Sequence, residues 1–269
     1  MALKDITLGQ YFPGHSPLHR MDPRTKILGI CLYIAALFLA KSIVSYGFLF
    51  VILAMLIRIS RIPLKSIVRG LKPVVFILVF TALLNIFYTP GEHVLVKLWV
   101  LTITLEGVYT AFFMVVRIMM LITGTFLLTY TTSPILLTDG IESLLSPLKK
   151  LRVPVHELAM MMSIALRFIP TLIEETDKIM SAQRARGADF ETGNLIQRAK
   201  ALIPLLVPLF ISAFRRADEL AVAMECRCYH GGEGRTRLRQ LKYGKLDWFT
   251  LTLALAMCVV VFVLGKFGL

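Results

Sequence analysis

Acidic residues are scarce in this chain. Only 17 aspartates and glutamates stand against 30 lysines and arginines in 269 residues, a formal net charge of +13. Cysteine is scarcer still: Cys31, Cys226, Cys228 and Cys258 form no C-x-x-C pair and two of them sit in apolar stretches, so neither a disulfide framework nor a zinc site is supported. The signatures of catalysis are missing as well. There is no G-x-x-x-x-G-K-[ST] loop to cradle nucleotide phosphates, no H-E-x-x-H, no G-x-S-x-G and no paired-aspartate diphosphate site. The histidines are scattered, and His156 and His230 read as interfacial or loop residues rather than ligands or bases. An intramembrane enzyme is therefore poorly supported. The stretch before Lys26 is polar and proline-containing, without the apolar segment that a cleavable secretory signal needs, so the first apolar run is expected to act as an uncleaved anchor.

What the chain has in abundance is apolar surface. Hydrophobic residues make up 57% of it and the mean hydropathy is +0.73, beyond the ~45–50% apolar content of soluble domains. The positive charge is interrupted by long apolar runs and lacks a nucleic-acid reading motif, so no nucleic-acid partner is expected. About 20 apolar residues cross a bilayer as a helix, and five segments qualify: roughly Ile27–Ala40, Ile43–Ile57, Val74–Tyr88, Val108–Thr129 and Leu246–Leu264. The first two are separated by Lys41 and Ser42, which predicts a tight outward-facing turn.

Lysine and arginine near span ends are retained on the cytoplasmic side. Lys4, Arg20, Arg24 and Lys26 precede the first span; Arg58, Arg61, Lys65, Arg69 and Lys72 separate the second and third; Arg235, Arg237, Arg239, Lys242 and Lys245 precede the fifth. The complementary loops hold only Lys41, Lys97 and Lys266. The N-terminus is expected inside and the C-terminus outside. Val155–Ile173 and Ala201–Phe214 are also apolar, but if both spanned, Lys178, Arg184, Arg186, Arg198 and Lys200 would face outside, and His156, Glu157 and Arg167 interrupt the first run. Each intramembrane charge costs roughly 2.5–3.5 kcal/mol on insertion scales. Both segments read as interfacial or cytoplasmic helices. Together with a short helix near Pro134–Lys150, they give long helices near Pro154–Arg186 and Ile196–Arg227, the last kinked by Pro204 and Pro208. The expected architecture is an all-α integral membrane protein of about five transmembrane helices plus three coupling helices. It divides into a membrane domain over 1–132, a coupling-helix domain over 133–232, and a basic loop with the last span over 233–269.

One pattern occurs twice. Ala182-Gln183-Arg184-Ala185-Arg186-Gly187 reappears further along as Ala223-Met224-Glu225-Cys226-Arg227-Cys228. At the same offset Asp177 falls on Asp218 and Thr171 on Ser212, so two similar helices end in two similar arginine-tipped heads. The small neighbours Ala182, Ala185 and Gly187, and Ala223, Cys226 and Cys228, let the backbone approach a groove closely. Arg186 and Arg227 supply planar forks for carboxylates or helix-end carbonyls. Glu174 and Glu175 align with Arg215 and Arg216, charges opposed so that they meet if the two helices cross. Leu158, Met160, Met161, Met162 and Leu166 on one shaft, and Leu202, Leu205, Leu206, Leu209 and Phe210 on the other, provide apolar surface, with unbranched methionines able to repack.

Asp22-Pro23 reads as an N-cap followed by proline at the first helical position, with Arg24 and Lys26 near lipid headgroups. Arg117 lies well inside the fourth span and is expected to face the bundle interior near Asn85 or Glu106.

Two A-x-x-[AC]-R-[GC] tips, with Ser16-Pro17-Leu18-His19-Arg20-Met21-Asp22-Pro23-Arg24-Thr25-Lys26 before the first span, resemble the transmembrane T component of energy-coupling factor transporters along essentially the whole chain. The resemblance implies a plasma-membrane scaffold of an ATP-driven vitamin or micronutrient importer. It would join two ATPase subunits to a substrate-binding S component, the methionine-rich shaft leaning toward several interchangeable ones. Ala185-Arg186-Gly187 and Cys226-Arg227-Cys228 would be its ATPase-docking triplets. ATP and Mg would bind the partner subunits, and this chain would hold no cofactor. A secondary transporter carrying its own solute is the rival reading, but such carriers show inverted halves with polar, broken helices at the midplane, whereas this repeat lies outside the spans, which are poor in polar residues.

Overall fold

The computed structural model describes residues 11–40, 42–89, 93–98, 101–188, 190, 194–231 and 240–266. Lys4, Lys41, Arg235, Arg237 and Arg239 lie outside them. The described chain is helical but for one hairpin: α1 (Pro17–Arg20), α2 (Pro23–Leu39), α3 (Ile43–Ser60), α4 (Leu64–Tyr88), β1 (Val94–Leu98), β2 (Leu101–Thr104), α5 (Leu105–Thr131), α6 (Pro134–Leu145), α7 (Val155–Ala185), α8 (Leu195–Glu225) and α9 (Lys245–Lys266). Contacts divide it into two units, Gly9–Ile141 with Leu241–Leu269, and Glu142–Gln240.

In the first unit α2 is the central rod. Its buried Tyr33, Ala36, Leu37 and Ala40 meet Leu49 and Leu53 of α3, Met120 of α5, and Met257 and Val261 of α9. Fully buried Ala36 and Gly124 allow this approach; a Cβ at Gly124 would stand 2.8 Å from Tyr33 Cε1. Lipid tails are as apolar as leucine, so such packing stabilises through close van der Waals contact more than through exclusion of water. Arg117 does face inward, but to other partners than expected. Its Nε donates to the Tyr46 hydroxyl at 2.8 Å and a terminal nitrogen to the Ala40 carbonyl at 3.4 Å. Asn85 instead donates to the Thr81 carbonyl, and Glu106 accepts from the His93 amide. Hydropathy places a charge in depth along its own helix but not against a neighbour.

Among the described residues five helices are long and apolar enough to cross a membrane: α3, α4, α5, α7 and α9. The number matches the sequence reading but the membership differs. At 17 residues, α2 stands at the short end of the roughly 17–25 residues that span a bilayer and is not among the five. In its place stands α7, the least apolar of the five and 6% buried over its apolar window. Two boundaries also move. α4 begins at Leu64, with Pro63 at its N-cap, and runs through Pro73. Lys65, Arg69 and Lys72 therefore lie on a helix rather than in a loop, because charge interrupts a hydropathy run while lysine and arginine remain good helix formers. The stretch before α5 is an antiparallel hairpin with Val96 opposite Ile103 and Leu98 opposite Leu101. Its β-branched run is too short to register as a span, and strand pairing is what satisfies its backbone.

In the second unit α7 and α8 are 31 residues each, about 46 Å. Asn194 and Gln197 form a capping box that starts α8. α8 remains helical through Pro204 and Pro208, and α7 through a further proline, Pro170.

Candidate functional site

α7 and α8 are joined by one carboxylate. Glu175 Oε2 pairs with an Arg216 terminal nitrogen at 3.0 Å, and Glu175 Oε1 accepts from the Ser212 hydroxyl. Ser212 and Arg216 are one turn apart on α8, so a single α7 side chain holds two successive turns. The pair is partly buried, with side chains 23% and 32% exposed for Glu175 and Arg216. Glu174 and Arg215 are exposed. Of the two opposed pairs in the sequence, the geometry thus joins 175 to 216.

Glu175 and Arg216 are separated along the chain by the offset of the repeat itself. The two shafts thus meet at equivalent positions of the repeat. This also makes the two arms equal: Arg186 stands as far beyond Glu175 as Arg227 stands beyond Arg216, about 16 Å of helix in each case.

The two tips terminate alike. In α7 the Gly187 amide donates to the Arg184 carbonyl at 3.0 Å and the Ala188 amide to Gln183 at 3.0 Å, with Gly187 left-handed at φ 89°. In α8 the Cys228 amide donates to Glu225 at 2.9 Å and the Tyr229 amide to Met224 at 3.0 Å, with Cys228 left-handed at φ 55°. Each bond maps onto its counterpart at the same offset. This is the Schellman closure, in which the residue after the helix turns left-handed so that the next amide can reach back over the last turn. Glycine adopts it freely; an L-residue such as cysteine adopts it at a cost of about 1–2 kcal/mol. Replacing glycine by cysteine therefore preserves the tip geometry. Ala185, Arg186 and Gly187, and Cys226, Arg227 and Cys228, are all exposed, so both guanidinium groups stand on open helix ends.

The shafts divide by burial. Met161, Met162, Leu206 and Phe210 are exposed, Met160, Leu166 and Leu209 are half-buried, and Leu205 is 5% exposed. Leu205 is thus buried and does not belong to the open surface assigned to it. The exposed set extends further than the sequence reading. Leu202, Leu206, Phe210 and Phe214, each one helical turn from the last, form one row, and Ile203, Val207 and Ile211 the next, a continuous apolar stripe along α8. The signal was the regular one-turn spacing. At the start of α7, His156 Nδ1 lies 3.0 Å from the buried carboxylate of Glu142, a partner that sequence separation gave no reason to suspect.

In the first unit Asp22 caps α2, accepting from the Arg24 amide at 2.9 Å, with Pro23 at the first position. Arg24 pairs with Asp22 at 2.9 Å and lies over the Tyr243 ring at 4.0 Å. The Asp22 amide donates to Asp247 of α9 at 2.9 Å, and Lys26 Nζ donates to the Thr131 carbonyl at 2.9 Å and to Thr132 Oγ1 at 3.1 Å. Arg24 and Lys26 are therefore engaged within the chain, because the cap of α2 packs beside the start of α9 and the end of α5. Among the described residues no group of three histidine, cysteine or acidic side chains is placed to hold a metal ion.

This architecture has relatives. The family profile described as CbiQ, cobalt transport protein, matches residues 14–238. Energy-coupling factor transporter transmembrane protein EcfT of Thermosediminibacter oceani is 58% identical over 245 residues, 91% of this chain and 92% of that protein. EcfT of Acidaminococcus fermentans is 53% identical over 261 residues, 96% of each chain, and EcfT of Bacillus subtilis 47% identical over 262 residues, 97% and 99%. With five membrane-length apolar helices and similarity along nearly its whole length, the chain belongs to the CbiQ family and is a multi-pass transmembrane component of an energy-coupling factor transporter.

Proposed function

We propose that this chain couples two ATPase subunits to a substrate-binding S component, docking one ATPase on each arginine-tipped helix. The supporting observation is the pair of equal arms. Two matching terminations, equally far beyond a shared pivot at Glu175 and Arg216, suit a motor made of two equivalent halves. Closure of the ATPases on ATP would draw the grooves holding Arg186 and Arg227 together, and the crossing would turn that displacement into relative rotation of the shafts. The exposed stripe from Leu202 to Phe214, with Met161 and Met162, is the surface for the S component, which would carry the substrate. The chain itself is non-catalytic; ATP and Mg belong to the ATPases. In this reading α7 and α8 lie at the cytoplasmic interface rather than across the bilayer, the N-terminus is inside and the C-terminus outside.

The test is co-purification and uptake. Arg186→Glu and Arg227→Glu should each weaken recovery of the ATPases or uncouple hydrolysis from uptake, with the double variant worse. Normal assembly and uptake by the double variant would refute the docking role.

A further inference from the structure

The corner between α3 and α4 carries charge that no described residue answers. From Pro23 to Gly91 the sequence contains no aspartate or glutamate, yet Arg58, Arg61, Lys65, Arg69 and Lys72 crowd into the end of α3 and the start of α4, and every one of them is exposed. Among the described residues none of them is in an ion pair. On α4 the basic side chains are not scattered. At about 100° per residue, Lys65, Arg69 and Lys72 form one row, and Leu64, Val68 and Val75 form a second row directly beside it. Leu64 and Val68 are each 65% exposed. The opposite face is occupied: Ile67 is buried with Tyr130 and Leu127, and Gly70 lies so close to α5 that a Cβ there would stand 2.6 Å from Phe126 Cε2. The charged and apolar rows therefore face away from the protein together.

Arg61 adds an independent observation. It closes α3 in the left-handed region at φ 58°, a place where glycine would be less strained by about 1–2 kcal/mol. It also lines a cavity of about 290 Å³ with Phe12, Gly14, His15, Ser16 and Pro63. Because α3 and α4 are both long enough to cross a membrane, their connection lies at a bilayer surface. A basic row beside an apolar row at that level matches the two halves of a phospholipid, anionic head and acyl chain.

We propose that the α3–α4 corner is a binding site for anionic phospholipid, with Arg61 and the adjoining cavity receiving the headgroup phosphate, Lys65, Arg69 and Lys72 holding its charge, and Leu64, Val68 and Val75 lying along the acyl chains. The site anchors α4 in register with the membrane surface.

The test is titration of the full chain, in neutral detergent micelles, with phosphatidylglycerol and separately with phosphatidylcholine, bound lipid being counted by native mass spectrometry. Each cation near an anionic surface contributes about fivefold in affinity, so the triple variant Lys65→Gln, Arg69→Gln, Lys72→Gln should bind phosphatidylglycerol roughly 100-fold more weakly and phosphatidylcholine as before. Arg61→Asn, which tolerates the left-handed backbone, should give about fivefold on its own and keeps the test open if the triple variant misfolds. A control that removes the same charge elsewhere, Lys149→Gln, Lys150→Gln, Lys178→Gln, should leave binding unchanged. Equal loss in the control, equal loss for both lipids, no loss in Arg61→Asn, or displacement of the lipid by millimolar inorganic phosphate would each overturn the proposal.

Discussion

Replacing Glu175 by alanine should loosen the α7–α8 crossing more than any other single change on the two shafts. Its carboxylate accepts from Ser212 and from Arg216, and hydrogen bonds to a charged group contribute about 1.5–3 kcal/mol each where they are shielded from water. Both members of the ion pair are less than one-third exposed, so screening removes only part of that. Glu175→Ala should cost about 3 kcal/mol, Arg216→Ala about 2, and Ser212→Ala about 1. The coupling energy between 175 and 216 should be about 1–2 kcal/mol in a double-mutant cycle. It should stay below the sum of the single losses, because Arg216 Nε is buried without a partner among the described residues, and removing Glu175 leaves the whole guanidinium poorly compensated. The exposed neighbours Glu174 and Arg215 should give less than ~0.5 kcal/mol in the same cycle. Native-state hydrogen exchange of α8 amides in the intact chain is the appropriate assay, since a two-unit membrane protein does not unfold in one step. A loss of about 2 kcal/mol appears as about 30-fold faster exchange near Ser212–Arg216. Additive effects at 175 and 216, or a larger coupling at 174 and 215, would refute the pivot.

Cys228→Gly should slow exchange of the Tyr229 amide several-fold, by relieving a left-handed residue at a net gain of about 1 kcal/mol, while Gly187→Ala should speed exchange of the Ala188 amide by a similar factor; equal exchange in both variants would show that the closures do not form. Gly70→Leu should destabilise the α4–α5 contact by about 1–3 kcal/mol through overpacking against Phe126, read as a lower melting temperature in detergent. Asp247→Ala should cost about 1–3 kcal/mol, because the buried amide of Asp22 loses its acceptor, and should speed exchange at the start of α2. Burial holds the His19 imidazole below its ordinary 6.5, so the folded state favours the neutral ring. Its contribution is present above that value and lost as pH falls through the lower folded value, so the melting temperature in detergent should fall on acidification through that range, and His19→Gln should flatten the fall.

The repeated helices were legible in the sequence because periodicity, small residues and a glycine stop are local features, and both of these helices were placed to within about a turn. The apolar stripe on α8 was only half legible: its row is local, but which members face out depends on what packs against the shaft, and Leu205 is buried. Arg117 and Lys26 illustrate the remainder. A sequence shows that a cation within or beside an apolar segment needs partners, but Tyr46 and the Thr131 carbonyl lie far away along the chain, and no local rule selects them.

By itself, then, the sequence determined the membrane character, the two matched shafts and the arginine ends, all of which follow from short-range pattern and composition. Only the tertiary structure decided that 175 rather than 174 is the pivot, that a cysteine can close a helix as glycine does, and that α4 turns a basic and an apolar row outward together. Those outcomes depend on which face of a helix is already occupied, and occupation is settled by close packing between segments far apart in the chain.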